Sequence, residues 1–420
     1  MTNIVLTQYG GAIVGPIAKL IGVIINFLYM GLSNLFGIEN IGITIILFTI
    51  VVYMLMFPLT YKQQKFSKLT AKMNPELQKI QKKYAGKTDQ ASRMAMQEET
   101  QMVYDKYGVS PTGSCLPMLI QFPILLAVYR VVYSIPAYVT SIKDAYTPVV
   151  NGIMGTNGYQ DIITNLTSDL SIKGIKLNFT GTTADAANSI IDVLYKFTDK
   201  GWNALIDQFP ALSDSISALQ HTAQGFNEFL GLDIAFSPLQ TIQNSFSAGK
   251  YLLVVLAILV PVISGLTQWL NLKLSMAAQG DTMKDNPAMQ QMQTMNMMMP
   301  VFSMIMVFTL PMGLGLYWIA GAVVRSIQQF FLNKHFDKMD FDKIIEANRE
   351  KAEEKKAKRE GYIKDTIAQN AKMSTRNIST PQENEEALNN ARTYTSNAKP
   401  GSMASKANLV NDYNNRNNNK

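Results

Sequence analysis

The chain has little charge and almost no cysteine or histidine. Of its 420 residues, 16% are Asp, Glu, Lys or Arg, whereas a soluble domain usually carries about 25%. The one cysteine, Cys115, leaves no thiol partner for an internal disulfide framework. Two histidines, His221 and His335, argue against a histidine metal site or a Ser–His relay. These shortages disfavour a single soluble globule and a disulfide-stabilised scaffold.

Sequence motifs for catalysis are also missing. The chain contains no G-x-x-x-x-G-K-[ST] nucleotide loop, no H-E-x-x-H helix and no Cys/His cluster. Nothing in it indicates nucleotide hydrolysis or intramembrane proteolysis. We therefore expect no catalytic residues, no cofactor and no metal, and we do not expect the chain to be an enzyme.

Long apolar runs are what the sequence has in abundance. A helix needs about 20 mostly apolar residues to cross a bilayer. Five such runs in one weakly charged chain exceed what buried helices of a soluble protein would explain. They predict an all-α membrane protein with transmembrane helices at 41–59, 116–135, 250–272, 292–311 and 312–332.

The N-terminal segment, 1–40, contains a further apolar stretch at 13–36. This stretch carries Lys19, and its apolar residues recur at roughly helical spacing. The pattern predicts a helix that lies in the membrane interface, with a spanning helix as the alternative. It lacks the basic start and the small-residue cleavage site of a signal peptide.

Charge is unevenly distributed among the segments that join these spans. Residues 60–115 hold ten Lys or Arg and five acidic residues, whereas residues 136–249 hold five Lys and ten acidic residues. The tail, 333–420, holds seventeen Lys or Arg and thirteen acidic residues. Positively charged loops stay in the cytoplasm. We therefore predict cytoplasmic segments at 60–115, 273–291 and 333–420, an extracytoplasmic loop at 136–249, and an N-terminus outside the bacterial plasma membrane.

The soluble segments differ in composition. Helix formers fill residues 60–108 except for a break at 85–87, which predicts a helical hairpin whose second helix has Thr88 as its N-cap. The 136–249 segment is first rich in Thr, Asn and Gly, and has helical character only from about residue 185 to 229. The basic tail ends in an Asn-rich stretch typical of disorder. On the cytoplasmic side, such a tail suits anionic lipid or ribosomal RNA.

Four stretches of sequence carry a resemblance to a known family. They are PLTYKQQKFSKLTAKMNPELQKIQKKY at 58–84, YGVSPTGSCLPMLIQFPILLAVYRVVYSIPAY at 107–138, FLGLDIA at 229–235 and TLPMGLGLYWIAGAVVRSIQQ at 309–329. In this order and spacing they resemble the YidC-type (Oxa/Alb family) membrane protein insertases of bacteria. The resemblance covers roughly 41–135 and 229–335, and it leaves 136–228, which looks like an enlarged external loop, and the tail unmatched.

This resemblance implies both an architecture and a function. It implies a five-helix core around a hydrophilic groove that opens to cytoplasm and lipid, with a cytoplasmic hairpin at 60–108. It implies an energy-independent insertase or chaperone that moves short polar tails across the membrane and releases apolar helices into the bilayer. Nascent membrane proteins would be the partners. The ribosome, bound through the hairpin and the basic tail, and the Sec translocon are further candidate partners.

One position departs from the family pattern. Tyr53 stands where most members carry an arginine that is taken to attract acidic residues of substrates. Arg325 and Tyr53 each lie seven residues from the cytoplasmic end of their span, and therefore about 10 Å deep. Trp318 shares the helix face of Arg325, and the tryptophan of this Tyr-Trp pair lines the groove in the family. We hypothesise that Arg325 supplies the groove charge beside Tyr53; the alternative is that it reaches the lipid head groups.

Other polar side chains inside the predicted spans extend this hypothesis. Gln121, Gln268 and Asn271 are the further candidates for the groove lining. Arg130 is the competing groove charge, but it lies about 22 Å above the cytoplasmic start of its helix, where a long side chain reaches outer water.

Two other functions stay open at this point. A small-solute transporter or channel would also carry polar residues inside its spans, although the chain has no inverted repeat and no pair of broken spans. A passive assembly scaffold for membrane proteins would contact folded partners rather than nascent chains.

Overall fold

The computed structural model describes residues 8, 10–110, 116–172, 174–175, 177–277 and 287–354, with short pieces between 385 and 410. Contacts divide the chain into two units, 1–349 and 350–420. The described part of the first unit is built of α-helices with one small β-hairpin, which confirms the all-α prediction. In the second unit residues 405–410 are helical. The Asn-rich end predicted to be disordered lies outside the described residues.

The first two helices are α1, Val14–Phe36, and α2, Ile41–Leu55. One face of α1 is buried, through residues such as Ala18, Ile25 and Tyr29, and packs on α2 and on the helix at 116–133. The helix is long and apolar enough to cross a membrane. Its placement in the interface or across the bilayer stays a prediction.

The predicted span 41–59 is not one straight helix. After α2 ends, α3, Phe57–Tyr84, begins at once and leaves at an angle of 57°. Pro58 explains the break, because proline has no N–H to offer the carbonyl of Met54 four residues earlier. The bend turns the chain from the apolar helices into the hairpin.

The helices α3 and α4, Gln90–Tyr107, form the hairpin expected from the sequence. Its N-cap prediction was wrong by one residue, since the carboxylate of Asp89, and not Thr88, accepts the Ser92 amide at 2.8 Å. Burial alone would raise the pKa of Glu76 on α3. Hydrogen bonds from Lys106 and Tyr107 on α4 outweigh it and lower that pKa, so this contact between the helices is charged at neutral pH.

Residues 136–249, here called the insert, begin within a short 3₁₀ turn, Ile135–Ala137, that comes after α5, Leu116–Tyr133. The insert is helical through much of its length. Its helices are α6, Thr140–Met154; α7, Tyr159–Asp169; α8, Thr183–Leu194; α9, Asp199–Gln208; α10, Ser213–Asn227; and α11, Pro238–Ser247. Between α10 and α11, strands β1, Glu228–Phe229, and β2, Leu232–Asp233, pair antiparallel.

The prediction that helical character begins near residue 185 was therefore wrong for α6 and α7. Helix α6 shows the physical reason. Ile142, Tyr146, Val149 and Ile153 recur at helical spacing and are all buried, so an apolar face forms the helix despite the Thr and Asn residues around it.

Three long helices follow the insert: α12, Tyr251–Ala277; α13, Pro287–Thr309; and α14, Met312–Phe336. After α14 the chain is again helical from residue 341. Helix α12 is long and apolar enough to cross a membrane, whereas α5 and α13 count as shorter apolar helices over their described side chains. The predicted loop 273–291 is shorter than expected, because α12 and α13 extend into it from both ends. Residues 278–286 lie outside the described part.

The insert is attached to the start of two apolar helices. The Asn40 side chain caps α2 by accepting the Ile43 amide at 3.1 Å and donates to the Glu228 carbonyl at 2.6 Å. At α14, the amides of Met312 and Gly313 donate to carbonyls of the insert at 2.8 and 2.9 Å. One apolar core joins the insert with α1, α2, α5, α12 and α14.

The hairpin is attached to the opposite end of α14. Leu332 and Phe336 are buried with Leu69 and Met73 of α3 and with Phe341. Ion pairs at the rim join Lys68 to Asp337 at 3.0 Å and Lys72 to Asp342 at 2.7 Å. The prediction treated everything after residue 332 as a tail, but residues up to 349 fold onto the hairpin.

Candidate functional site

Arg325 of α14 lies beside Tyr53 of α2. The guanidinium donates a hydrogen bond to the Tyr53 hydroxyl, and its Cζ atom lies 5.0 Å from the centre of the Tyr53 ring. The tyrosine itself is 4% exposed. Among the described residues Arg325 forms no ion pair, so the phenol is a partner that leaves its positive charge unneutralised.

Two further residues of α14 contact Tyr53. Gly321 lies against the ring, and a Cβ atom at this position would come within 2.8 Å of Tyr53 Cε2. Gln328 donates from its side-chain amide to the Tyr53 carbonyl at 3.0 Å. Helix α14 therefore contacts the same tyrosine three times, through the surface of Gly321, the hydrogen bond from Gln328 and the guanidinium of Arg325. Sequence analysis did not place Gln328 at the site, although its spacing of three residues from Arg325 puts it one turn away.

Gln121 of α5 joins the same group of polar residues through Tyr317. Its amide donates to the Tyr317 hydroxyl at 2.9 Å, and Tyr317 is 1% exposed. Tyr317 interacts in turn with Tyr53 and Arg325. Polar contacts thus run from α5 through α14 to α2. The sequence hypothesis included Gln121 but missed Tyr317, the neighbour of the tryptophan that it named.

The two candidates on α12 are placed differently. Asn271 donates to the Ser326 hydroxyl at 3.2 Å, which brings it to the residue next to Arg325. Gln268 instead donates to Ser264 of its own helix at 3.1 Å. Asn271 is therefore part of the polar group, and Gln268 lies one turn away from it on α12.

Trp318 and Arg130, the remaining candidates, lie at the edge of this polar group or away from it. Trp318 is half-buried and packs at the border of the main apolar core, one residue after Tyr317. Arg130 is exposed in the last turn of α5, with its Cζ atom 5.6 Å from the centre of the Tyr129 ring. The structure brings Tyr53, Gln121, Asn271 and Arg325 together by contacts, and Arg130 does not share them.

The helices around this polar group expose apolar side chains on their outer faces. On α12 and α13 the exposed residues include Leu252, Val255, Leu266, Phe302 and Ile305. A surface of this kind would promote aggregation in water, but it is the normal covering of a helix in hydrocarbon. No group of three or more His, Cys, Asp or Glu side chains that could hold a metal occurs within the described part of the chain.

A family model described as "60Kd inner membrane protein" matches residues 31–166 and 193–339, more than half of the chain. The match confirms the family resemblance predicted from the four sequence stretches. It corrects the extent of that resemblance, because most of 136–228 belongs to the matched region. Within the insert, only residues 167–192 fall between the two matched parts.

Individual relatives match shorter parts. The membrane protein insertase YidC of Bifidobacterium longum is 43% identical over 113 residues, which cover 26% of this chain and 34% of that protein. The membrane protein insertase MisCA of Bacillus subtilis is 42% identical over 94 residues, 22% of this chain and 36% of that protein. The membrane protein insertase YidC 1 of Streptococcus pyogenes serotype M6 is 46% identical over 91 residues, 22% and 33%. The chain spans about a third of the length of the curated relatives it matches.

Proposed function

We propose an insertase function for this chain, which belongs to the 60Kd inner membrane protein family. The observation that carries the proposal is Arg325, a cation without an ion pair among the described residues, held between apolar helices by a phenol. An arginine inside a span costs at least ~2.5–3.5 kcal/mol on insertion scales and normally faces a bundle interior or water. A positive charge retained at this cost, with no internal counter-ion, suits transient contact with an acidic group of another molecule.

The proposed architecture is a five-helix core of α2, α5, α12, α13 and α14 around a hydrophilic groove. The contacts of Gln121, Asn271 and Tyr53 with α14 support it, since they join polar side chains of three helices around Arg325. The groove opens to cytoplasm and lipid. The N-terminus of the chain lies outside the bacterial plasma membrane, and the hairpin and tail lie in the cytoplasm.

The mechanism needs no chemical step and no fuel. A polar tail that crosses hydrocarbon leaves its backbone groups without partners. A wet groove that reaches part of the way across shortens this dry path, and Arg325 attracts acidic residues of the tail. The substrate's apolar helix then moves into lipid, which removes apolar surface from water at roughly 25 cal/mol per Å². Burial of the substrate helix therefore drives the reaction.

The proposed partners are nascent membrane proteins and the lipid bilayer. The cytoplasmic hairpin and basic tail suit the ribosome as a further partner, because their Lys and Arg residues match a phosphate backbone. The Sec translocon is a candidate partner through the family resemblance alone.

The test is insertion into liposomes that contain the purified chain. A short single-span substrate with an acidic tail is compared with the same substrate carrying a neutral tail. Arg325→Ala should lower insertion of the acidic substrate about tenfold, which corresponds to about 1.4 kcal/mol, and affect the neutral one less. Arg130→Ala should leave both unchanged.

Each contrary outcome of this assay has a defined meaning. If the wild-type chain inserts neither substrate, the insertase function is wrong. If it passes a small solute in the absence of any substrate, a channel is favoured. If Arg130→Ala impairs insertion and Arg325→Ala does not, the groove charge belongs to Arg130.

A further inference from the structure

A cavity of about 340 Å³ lies inside the insert, remote in sequence from the Arg325 site. Its walls come from α6, from the end of α8 and the segment after it, from α9, α10 and α11, from the β-hairpin and from the start of α12. The size falls at the lower end of the range of about 300–1,000 Å³ for small-molecule sites. It therefore fits one side chain or a small molecule rather than a folded segment.

The charge of the walls is negative. Asp199, Glu228 and Asp233 line the cavity, and Lys250 is the one basic residue among the lining. Lys196 is not part of the lining. Its Nζ atom lies 3.7 Å from the centre of the Tyr133 ring, and its acidic neighbours are Asp192 and Asp233. The balance excludes an anion as the natural occupant. A phospholipid head group is also a poor fit, because its phosphate would meet the three carboxylates.

The inner part of the cavity is aromatic and includes one tyrosine hydroxyl that makes no hydrogen bond to the described residues. Trp202, Tyr195 and Tyr146 line it and are each at most 4% exposed. Within the described part of the chain the Tyr146 hydroxyl has no hydrogen-bond partner. A donor group of a ligand that reaches this hydroxyl would supply a hydrogen bond that the described residues do not.

We infer that this cavity binds an organic cation, an ammonium or guanidinium group on an apolar stem, as in a lysine or arginine side chain of a peptide. The carboxylates accept hydrogen bonds from the N–H groups of the cation, and the Tyr146 hydroxyl accepts a further one. The aromatic side chains pack against the apolar stem. The site does not depend on the insertase activity, and it would act whether or not the chain inserts proteins.

Three probes test the site on the purified full chain in detergent micelles at pH 7.5. They are the blocked peptide Gly-Lys-Gly, the same peptide acetylated on the lysine Nε, and 1,5-diaminopentane. Titration calorimetry should give a dissociation constant for the lysine peptide about tenfold lower than that for its acetylated form. If the diamine binds as well, the ligand class includes free amines. If only the diamine binds, the natural ligand is a free amine rather than a peptide side chain.

Variants distinguish this cavity from general attraction to an acidic surface. Glu228 is exposed and its carboxylate makes no hydrogen bond within the described residues, so Glu228→Gln should fold and weaken binding severalfold. Ala248→Phe, at the exposed rim of the cavity, should block it. Asp207→Asn, on α9 but outside the lining, is the matched control and should not alter binding. Equal, measurable binding of the two peptides, no binding of any of the three probes, or equal affinity in Glu228→Gln, Ala248→Phe and the control overturns the proposal.

Discussion

Arg325 contacts Tyr53 in two ways at once, by a hydrogen bond to the hydroxyl and by a guanidinium placed 5.0 Å from the ring centre. A phenol orients the cation but leaves its charge in place, whereas a carboxylate would neutralise it. The family resemblance implies an arginine at the position of Tyr53, whereas here Tyr53 contacts an arginine of another helix. This contact supports our proposal that Arg325 supplies the positive charge of the groove.

Removing the Tyr53 hydroxyl should weaken this arrangement without abolishing it. Tyr53→Phe keeps the ring under the guanidinium but deletes a hydrogen bond to a charged group, worth about 1.5–3 kcal/mol. We expect a lower free energy of unfolding, measured by denaturation in detergent micelles. Tyr251→Phe is the control because Tyr251 is exposed. An equal effect in the two variants would show that the Tyr53 hydroxyl is not a partner.

A methyl group at position 321 should displace the Tyr53 ring. In Gly321→Ala the new Cβ would lie 2.8 Å from the ring, and overpacking of this kind costs typically about 1–3 kcal/mol. Gly31→Ala on α1 is the matched control, since nothing lies within 4 Å of its added Cβ. Thermal unfolding of both variants checks the expectation. It fails if Gly321→Ala unfolds at the same temperature as the control.

The hairpin should depend on the apolar end of α14 rather than on its ion pairs. Phe336 is 1% exposed among α3 residues, and Phe336→Ala should cost about 3–5 kcal/mol. Lys72→Ala breaks the more exposed ion pair, with Asp342, and should cost at most about 1 kcal/mol. Hydrogen exchange of α3 and α4 should rise strongly only in Phe336→Ala. Phe331→Ala, at a side chain 63% exposed, is the control; a rise of the same size there would contradict the assignment.

Lys196 should make the stability of the insert depend on pH. Burial lowers its pKa from 10.5 to about 7, so the unfolded chain binds the proton more tightly than the folded one. Stability should therefore rise as the pH increases from about 7 to about 10.5. Asp233 affects the stability of the insert in a different pH range, because burial raises its pKa from 3.8 to about 6. Its contribution to stability falls as the pH rises through that range.

Unfolding followed by tryptophan fluorescence across the pH range measures the Lys196 effect. Lys196→Met should lose most of the rise above pH 7. Lys200→Met, which replaces an exposed lysine nearby, should keep it. The same slope in the Lys196 variant and in the wild type would mean that this ammonium is not desolvated.

The sequence predicted some of these relationships for clear physical reasons. Length and apolarity locate helices that must match the thickness of a bilayer, and counting from the cytoplasmic ends puts Arg325 and Tyr53 at one depth. Depth does not determine rotation about the helix axis. Tyr317 and Gln328 were therefore left out of the site, since only the packing of α14 against α2 and α5 shows which residues face it.

Other features depend on contacts between distant parts of the chain. Lys68 and Asp337 both look like solvated surface charges, and only the folded chain pairs them. In the insert, a Thr- and Asn-rich composition concealed the apolar spacing of α6. Pro58 was visible in the sequence, but the 57° bend at that point requires the direction in which α3 packs.

Helix α14 is held at both ends, by carbonyls of the insert at Met312 and Gly313 and by the hairpin around Phe336. Sliding along its axis would break the backbone bonds at one end and unpack an aromatic side chain at the other. These contacts therefore fix the position of Arg325 relative to the insert and the hairpin. For the proposed insertase, this means that a substrate has to reach the charge, and that the distance from the hairpin end of α14 sets the shortest polar tail that can do so.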